Sequence, residues 1–132
     1  MISLALYQPE IPQNTGTLMR FAACMGIKLY IIEPCGFGLS DAKLKRSGMD
    51  YLDLAAYRRL DHYEAFEEMV ANDRRRVIIT SPRATVSYSD FKFQSSDIIL
   101  MGRESDGLPE EVMKRHQHQV SIPMIADCRS LN

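Results

Sequence analysis

The sequence has 132 residues, which is short enough for one domain and long enough to bury a hydrophobic core. Its hydrophobic content of 45% and charged content of 25% are ordinary for a globular domain. The net charge of −1 excludes a global electrostatic field that attracts nucleic acid, so any RNA contact must come from local basic patches.

The N-terminus and the cysteines bear on the cellular compartment. No apolar run approaches the length of a membrane span, and no charged region precedes the short apolar run at the N-terminus. The three cysteines, Cys24, Cys35 and Cys128, are odd in number and scattered, which fits reduced thiols better than a disulfide framework. We therefore expect a soluble cytoplasmic protein with no membrane segment.

Strands and helices alternate in the first half of the chain. Residues 2–7 are predicted to form a strand that Pro9 and Pro12 end. A helix is predicted from a cap at Asn14 or Thr15 to about residue 25, where Gly26 ends it. Its predicted inward face comprises Leu18, Phe21, Ala22 and Met25. A strand over 29–32 and a basic helix over 41–46 follow, whereas 50–57 fits either a short strand or a helical turn.

The second half continues the alternation. A helix is predicted over 62–72, strands over 77–80 and 98–101, and a last helix and strand over 109–115 and 119–122. The helix over 62–72 is predicted to turn Tyr63, Phe66, Met69 and Val70 inward. Short apolar strands alternating with helices indicate a single-domain α/β fold with a parallel sheet flanked by helices.

The loop from Gly102 to Pro109 is the first candidate site. It follows a buried apolar strand and leads into a helix, and ligands bind at such positions in open α/β sheets. It has neither the P-loop nor the dinucleotide-binding spacing. An ordinary strand-to-helix turn with surface charges explains the pattern equally well.

Charged residues elsewhere allow two interpretations. Arg20 lies in the second turn of its helix, where a cation gains nothing from the helix dipole, so it either pairs with an anion such as phosphate or Glu104 or is simply solvated. A local positive patch comes from Lys43, Lys45 and Arg46, and a solvated helix face is the alternative. We expect no metal site, because the histidines lack cysteine or carboxylate neighbours at ligand spacing.

Three segments resemble the motifs of the SpoU branch of the SPOUT RNA methyltransferases. The first motif resembles Pro9-Glu10-Ile11-Pro12-Gln13-Asn14-Thr15-Gly16-x-x-x-Arg20, and the second resembles Gly102-x-Glu104-x-x-Gly107-Leu108-Pro109. The start of the third is similar to Ile122-Pro123-Met124 followed by Ser130-Leu131-Asn132. Segments 32–37 and 46–51 are similar to a small subfamily that is a bare catalytic domain, so the resemblance covers the chain in order.

The resemblance implies a parallel sheet with a deep trefoil knot near the C-terminus, and a homodimer. It also implies S-adenosylmethionine held by the loops of the knot, with cofactor contacts from Thr80, Gly102, Ile122 and Ser130. Family members continue past the third motif with a helix that completes the knot. This sequence ends at Asn132, so we expect residues 1–132 to be the catalytic domain with that helix missing.

Members of the small subfamily methylate the ribose 2′-hydroxyl of the wobble cytidine or uridine in certain leucine tRNAs. The resemblance therefore implies an enzyme with tRNA as its partner and with Asn14, Arg20 and Glu104 as its catalytic residues. Because arginine stays protonated, we interpret Arg20 as stabilising the developing alkoxide or gripping the adjacent phosphate. Asn14 and Glu104 would position Arg20 and the loop.

RNA recognition is assigned to Lys43, Lys45 and Arg46. Two other functions stay open: a non-catalytic RNA-binding module that keeps the same fold, and a generic nucleotide-binding α/β enzyme. The presence of the three catalytic residue types argues against the module, and the missing phosphate-binding fingerprints argue against the generic enzyme.

Overall fold

Six parallel strands form one sheet in the order β3-β2-β1-β5-β4-β6. The computed structural model describes residues 1–38, 57–126, 128 and 131 of the chain. The elements in chain order are β1 (Ser3–Tyr7), α1 (Pro12–Met25), β2 (Leu29–Ile32), β3 (Tyr57–Leu60), α2 (Tyr63–Asp73), β4 (Val77–Thr80), β5 (Ile98–Met101), α3 (Glu110–Lys114) and β6 (His118–Val120). The predicted α/β fold with a parallel sheet flanked by helices is confirmed.

The first strand lies at the centre of the sheet. Leu4 pairs with Leu29 of β2 on one side and with Ile99 of β5 on the other. All five residues of β1 are buried, as expected for a parallel strand covered on both faces. The strand order changes direction between β1 and β5, and a crevice at the carboxyl ends of such a pair is the usual ligand site.

Two hydrophobic clusters cover the two faces of the sheet. One face packs against α2, with Phe66 buried among the residues of β4 and β5. The other face packs against α1, with Met19 and Ala22 buried against β1 and β2. Burial on both faces explains why the strands are continuous apolar runs rather than alternating sequences. The strands predicted over 29–32, 77–80 and 98–101 have these bounds in the structure.

The start and the inward face of α1 differ from the prediction. The helix begins at Pro12 with Ile11 at the N-cap, rather than at a cap on Asn14 or Thr15, and proline at the first turn is favourable. Its buried residues are Thr15, Gly16, Met19 and Ala22. The predicted inward position was wrong for Phe21 and Met25, which are 46% and 58% exposed. The predicted inward face and the observed buried face are offset by one residue, or about 100° around the helix. Apolar periodicity alone does not distinguish the two faces.

Other elements follow the prediction closely. The end of α1 at Gly26 is confirmed, since this glycine has a left-handed φ of 64°. The predicted burial in α2 is confirmed for Tyr63, Phe66 and Met69, and Val70 is partly buried against the same cluster. The basic helix predicted over 41–46 lies outside the described residues.

A buried ion pair joins the amino-terminal ends of β4 and β5. Both oxygens of the Asp97 carboxylate accept from Arg76, at 2.8 Å from Nε and 2.7 Å from Nη2, and one also accepts from the Gln94 amide at 2.8 Å. Asp97 is fully buried. Hydrogen bonds from Arg76 lower the pKa of Asp97 below its usual value. The arginine run before β4 therefore includes a structural residue.

Asp97→Asn is expected to lower the melting temperature by about 10 °C, because it breaks a buried pair at its carboxylate. The folded pKa of Asp97 lies below the unfolded one. The pair therefore stabilises the wild type above about pH 4, and this stabilisation is lost as the pH falls through the folded pKa. Thermal unfolding at pH 7 and at pH 3 measures both effects. The exposed Asp90→Asn is the control, and an equal loss in both variants would contradict the assignment.

Candidate functional site

A cavity of about 260 Å³ lies at the carboxyl ends of β1, β4 and β5. It brings together five of the predicted site residues: Asn14, Thr80, Gly102, Glu104 and Ile122. These residues come from four separate parts of the sequence: the start of α1, the end of β4, the loop after β5 and the segment after β6. The crevice between β1 and β5 is thus lined by the residues that the motifs identified.

A second cavity of about 330 Å³ adjoins the first above β4 and β5. Thr80, Gly102 and Glu104 line both cavities. The second cavity adds two arginines, Arg83 and Arg103, to its wall. Neither arginine was assigned a role from the sequence.

Glu104 contacts the segment that precedes α1. Its Oε2 accepts from the Glu10 amide at 2.8 Å, and its Oε1 accepts from the Ile11 amide at 3.2 Å. Both carboxylate oxygens are engaged by the main chain in front of the helix. Glu104 therefore acts on the position of α1, and through α1 on Asn14 and Arg20.

Glu10 makes the reverse contact to the loop. Its Oε1 accepts from the Ser105 amide at 3.0 Å and from the Ser105 hydroxyl at 2.7 Å. Glu10 and Ser105 lie inside the first two motifs, but nothing in the sequence pattern pairs them. The sequence shows only that a hydrogen-bond acceptor, Glu10, and a donor, Ser105, are both present in the motifs.

Gly102 allows the loop to close on itself. A Cβ at this position would lie 2.5 Å from the Gly107 carbonyl carbon and 2.6 Å from the Leu108 nitrogen. Arg103 and Gly107 form an antiparallel bridge, and Gly107 has a φ of 70° that favours glycine. The space beside Gly102 is thus filled by the loop's own main chain.

Arg103 ties the loop to the end of β1. Its Nε donates to the Gln8 side-chain oxygen at 3.1 Å, and its guanidinium lies over the Tyr7 ring at 5.0 Å from the ring centroid. Gln8 has a left-handed φ of 44°, which few non-glycine residues adopt. Arg103 therefore fixes the loop after β5 against a strained turn after β1.

The Thr15 hydroxyl is a buried polar group on the wall of the first cavity. Thr15 is 1% exposed, and its Oγ1 has no hydrogen-bond partner among the residues that the structure describes. The Thr80 hydroxyl, by contrast, donates to the Leu100 carbonyl at 3.3 Å. A buried hydroxyl without a partner is unfavourable, and a bound ligand with a polar atom would satisfy it.

The remaining predicted residues lie elsewhere. Arg20 is exposed on α1 and is not among the residues that line either cavity. Ser130, Lys43, Lys45 and Arg46 lie outside the described residues.

Burial disfavours the charged forms of the Cys35 thiol and the His116 imidazole, two side-chain types that often act in catalysis. Burial, followed by the charge of Glu33, raises the pKa of the Cys35 thiol to about 11, so the reactive thiolate is scarce at neutral pH. Burial lowers the pKa of His116, whose Nε2 lies 2.5 Å from the Tyr63 hydroxyl. Within the described ranges, no group of three or more metal-ligating side chains occurs, and no helix is both long and apolar enough to cross a membrane.

Comparison with known proteins identifies the family. Residues 1–132 match the model of the SpoU rRNA Methylase family, and the chain belongs to that family. It is 46% identical over 131 residues to a tRNA (cytidine(34)-2'-O)-methyltransferase of Ancylobacter novellus, covering 99% of this chain and 83% of the relative. An Escherichia coli K12 protein of the same name is 37% identical over 134 residues, covering 100% of this chain and 84% of the relative.

A solved structure leads to the same family. A chain studied for the 2-OH methylation of C/U34 on tRNA superposes with a TM-score of 0.92 at 45% identity. The match covers 100% of this chain and 86% of that one.

Proposed function

We propose that this protein transfers a methyl group from S-adenosylmethionine to the ribose 2′-hydroxyl of the wobble cytidine or uridine of tRNA. The observation that carries the proposal is the convergence of Asn14 and Glu104 with Thr80, Gly102 and Ile122 around one cavity. The names of relatives up to 48% identical support the reaction and the substrate.

The cavities suit a small molecule with apolar and polar parts. Their volumes lie near the lower end of the 300–1,000 Å³ that is common for ligand sites. The residues that would hold the cofactor are Thr80, Gly102, Ile122 and Ser130, and the Thr15 hydroxyl offers a further polar contact. When bound, S-adenosylmethionine supplies a methyl group activated by a sulfonium.

The chain must align the two reactants and stabilise charge on the acceptor oxygen. When the 2′-oxygen takes the methyl group, the carbon–sulfur bond would break, the sulfur would leave as a neutral thioether, and the hydroxyl proton would pass to solvent water. Partial negative charge would develop on the oxygen as that proton departs. Because arginine side chains do not serve as proton acceptors in proteins, we assign Arg20 to stabilising this charge or gripping the adjacent phosphate. Asn14 lines the cavity, Glu104 holds the segment before α1, and together they position Arg20 and the loop.

Lys43, Lys45 and Arg46 supply the local positive charge for RNA in a chain whose net charge is only −1. Phosphate contacts release counterions, so tRNA affinity should fall as salt rises. Leucine tRNAs are the substrates that the resemblance implies, and a cytoplasmic location follows from that choice of substrate.

Tritium-methyl transfer to bulk tRNA, followed by nucleoside analysis, tests the function. The expected product is 2′-O-methylcytidine or 2′-O-methyluridine at the wobble position. Titration of S-adenosylmethionine into the same chain separates the alternatives. A methyltransferase binds the cofactor, whereas a non-catalytic RNA-binding module would bind tRNA without binding the cofactor or methylating the RNA. Absence of both cofactor binding and methyl transfer would refute the proposal.

A homodimer is part of the proposed function. Phe21 and Met25 leave an apolar surface exposed on α1, and Ile125 and Leu131 are 79% and 63% exposed near the C-terminus. Exposed apolar patches of this kind often pair with another surface. Sedimentation equilibrium of the wild type and of Phe21→Ser measures the association, which we expect to weaken in the variant.

Thr15→Val should change stability and affinity in opposite directions. Removing an unpartnered buried hydroxyl should raise the free energy of unfolding of the ligand-free chain by about 1 kcal/mol. It should also weaken S-adenosylmethionine binding about fivefold, because the cofactor loses a polar partner. Urea unfolding and calorimetric titration measure the two effects.

Two variants control this prediction. Thr15→Ser keeps the hydroxyl and should keep the affinity. Thr17→Val lies on the exposed side of the same helix, where the hydroxyl already donates to the Gln13 carbonyl at 2.9 Å, so it should gain no stability. Unchanged cofactor affinity in Thr15→Val would exclude this hydroxyl from the site.

A further inference from the structure

Helix α1 has no capping group of its own. Its N-cap residue is Ile11, whose side chain accepts no hydrogen bond, and its first turn contains no acidic residue. The Glu104 carboxylate instead accepts from the amides of Glu10 and Ile11, the two residues immediately before the helix. A negative group at this end also complements the helix dipole. The start of the helix is therefore fixed by a side chain from the loop after β5.

The loop is fixed in turn by a side chain from the segment before α1. The Glu10 carboxylate accepts from the amide and the hydroxyl of Ser105, at 3.0 and 2.7 Å. The segment before α1 and the loop after β5 thus each contribute one carboxylate that accepts hydrogen bonds from the other segment. We name these four hydrogen bonds among Glu10, Ile11, Glu104 and Ser105 the carboxylate clasp.

We propose that Glu10 is a positioning residue for methyl transfer: through the clasp, it fixes the loop containing Gly102 and Glu104 relative to the helix containing Asn14 and Arg20. The proposal rests on the proposed function for its activity measurements. Glu10 is not among the residues lining either cavity, so it acts through Ser105 rather than on the reactants.

The backbone around Glu10 leaves it little freedom to move. A Cβ on Gly36 would lie 3.0 Å from the Glu10 Cα, so the segment after β2 packs directly against it. The Gly36 amide also donates to the Pro9 carbonyl at 3.0 Å. Glu10 is therefore supported from behind by Gly36 while its carboxylate reaches forward to the loop, which is the arrangement that rigid positioning requires.

Glu10→Ala tests the proposal against Glu10→Gln. The alanine variant loses both bonds to Ser105, and a displacement of the loop by a fraction of an ångström should lower kcat about 10- to 100-fold. The KM for tRNA should stay within about twofold. The glutamine variant keeps an oxygen that accepts from Ser105, so its kcat should stay within about threefold of the wild type.

Hydrogen exchange provides a readout that does not depend on activity. Amides of the loop over 102–107 should exchange faster in Glu10→Ala than in the wild type or in Glu10→Gln. A double-mutant cycle with Ser105→Ala should be non-additive, because both changes disrupt the same contact. Glu68→Ala, exposed on α2, is the matched control and should change neither exchange nor kcat.

Three results would overturn the proposal: unchanged loop exchange in Glu10→Ala, a kcat within twofold of the wild type, or a glutamine variant as impaired as the alanine variant. If the wild type transfers no methyl group, the proposed function fails. The exchange measurement would then still decide whether the carboxylate clasp holds the loop.

Discussion

Methyl transfer to tRNA should fall about 10²- to 10³-fold when Arg20 is replaced by alanine, while S-adenosylmethionine binding stays within about twofold of the wild type. The physical reason is that a preorganised cation beside the developing alkoxide stabilises the transition state far more than the ground state. Arg20 is exposed on α1 and does not line the cavities, so its removal should leave the cofactor site intact. Single-turnover methylation and calorimetric titration measure the two quantities.

A conservative variant and a control variant test the assignment of Arg20. Arg20→Lys keeps a charge but loses the planar fork of donors, so its rate should lie between those of the wild type and the alanine variant. Arg58→Ala removes another exposed arginine, on β3, and should leave kcat unchanged. Loss of cofactor binding in Arg20→Ala would mean that Arg20 is structural, and the mechanism proposed above would have to be abandoned.

Gly102→Ala should lower S-adenosylmethionine affinity about 10- to 100-fold and the free energy of unfolding by about 2 kcal/mol. The added Cβ would lie 2.5–2.7 Å from three main-chain atoms of Gly107 and Leu108, which cannot rotate away as a side chain would. The loop would have to open, and both cavities would lose part of their common wall. Calorimetric titration and urea unfolding measure these losses.

Gly26→Ala is the matched control for this variant. Gly26 has a left-handed φ of 64°, but nothing lies within 4 Å of the Cβ that alanine would add. This control should cost stability through backbone strain alone and should leave cofactor affinity unchanged. Equal affinity in Gly102→Ala and the wild type would show that the loop tolerates the clash, and its close packing would then be irrelevant to binding.

The sequence alone predicted the parts of the molecule that depend on local pattern. Continuous apolar runs predicted β2, β4 and β5 with correct bounds, and Gly26 predicted the end of α1. The motif resemblance also selected five residues that do line one cavity. The strand bounds and the helix end rest on hydrophobic burial and glycine geometry, which neighbouring residues determine, whereas the five cavity residues rest on the resemblance.

Contacts between distant segments could not be predicted in the same way. The bond that holds the segment before α1 joins the Glu10 amide to the Glu104 carboxylate, 94 residues apart, whereas local pattern favours a helix start at Asn14 or Thr15. The resemblance implies a cofactor contact at Gly102, but it does not reveal that the main chain of Gly107 fills the space beside this glycine. In both cases the identity of the residue was informative, but its partner was fixed only by the fold.

The position of β1 at the centre of the sheet affects the order of events during synthesis. Among the strands that the structure describes, β1 leaves the ribosome before its neighbour β5, which begins only at Ile98. At about 5–20 residues per second, an apolar edge of β1 lacks its partner for roughly 5–20 s. Unpaired apolar edges invite pairing with other chains. Nascent chains stalled before residue 98 should therefore aggregate or bind chaperones far more than released chains that contain β5.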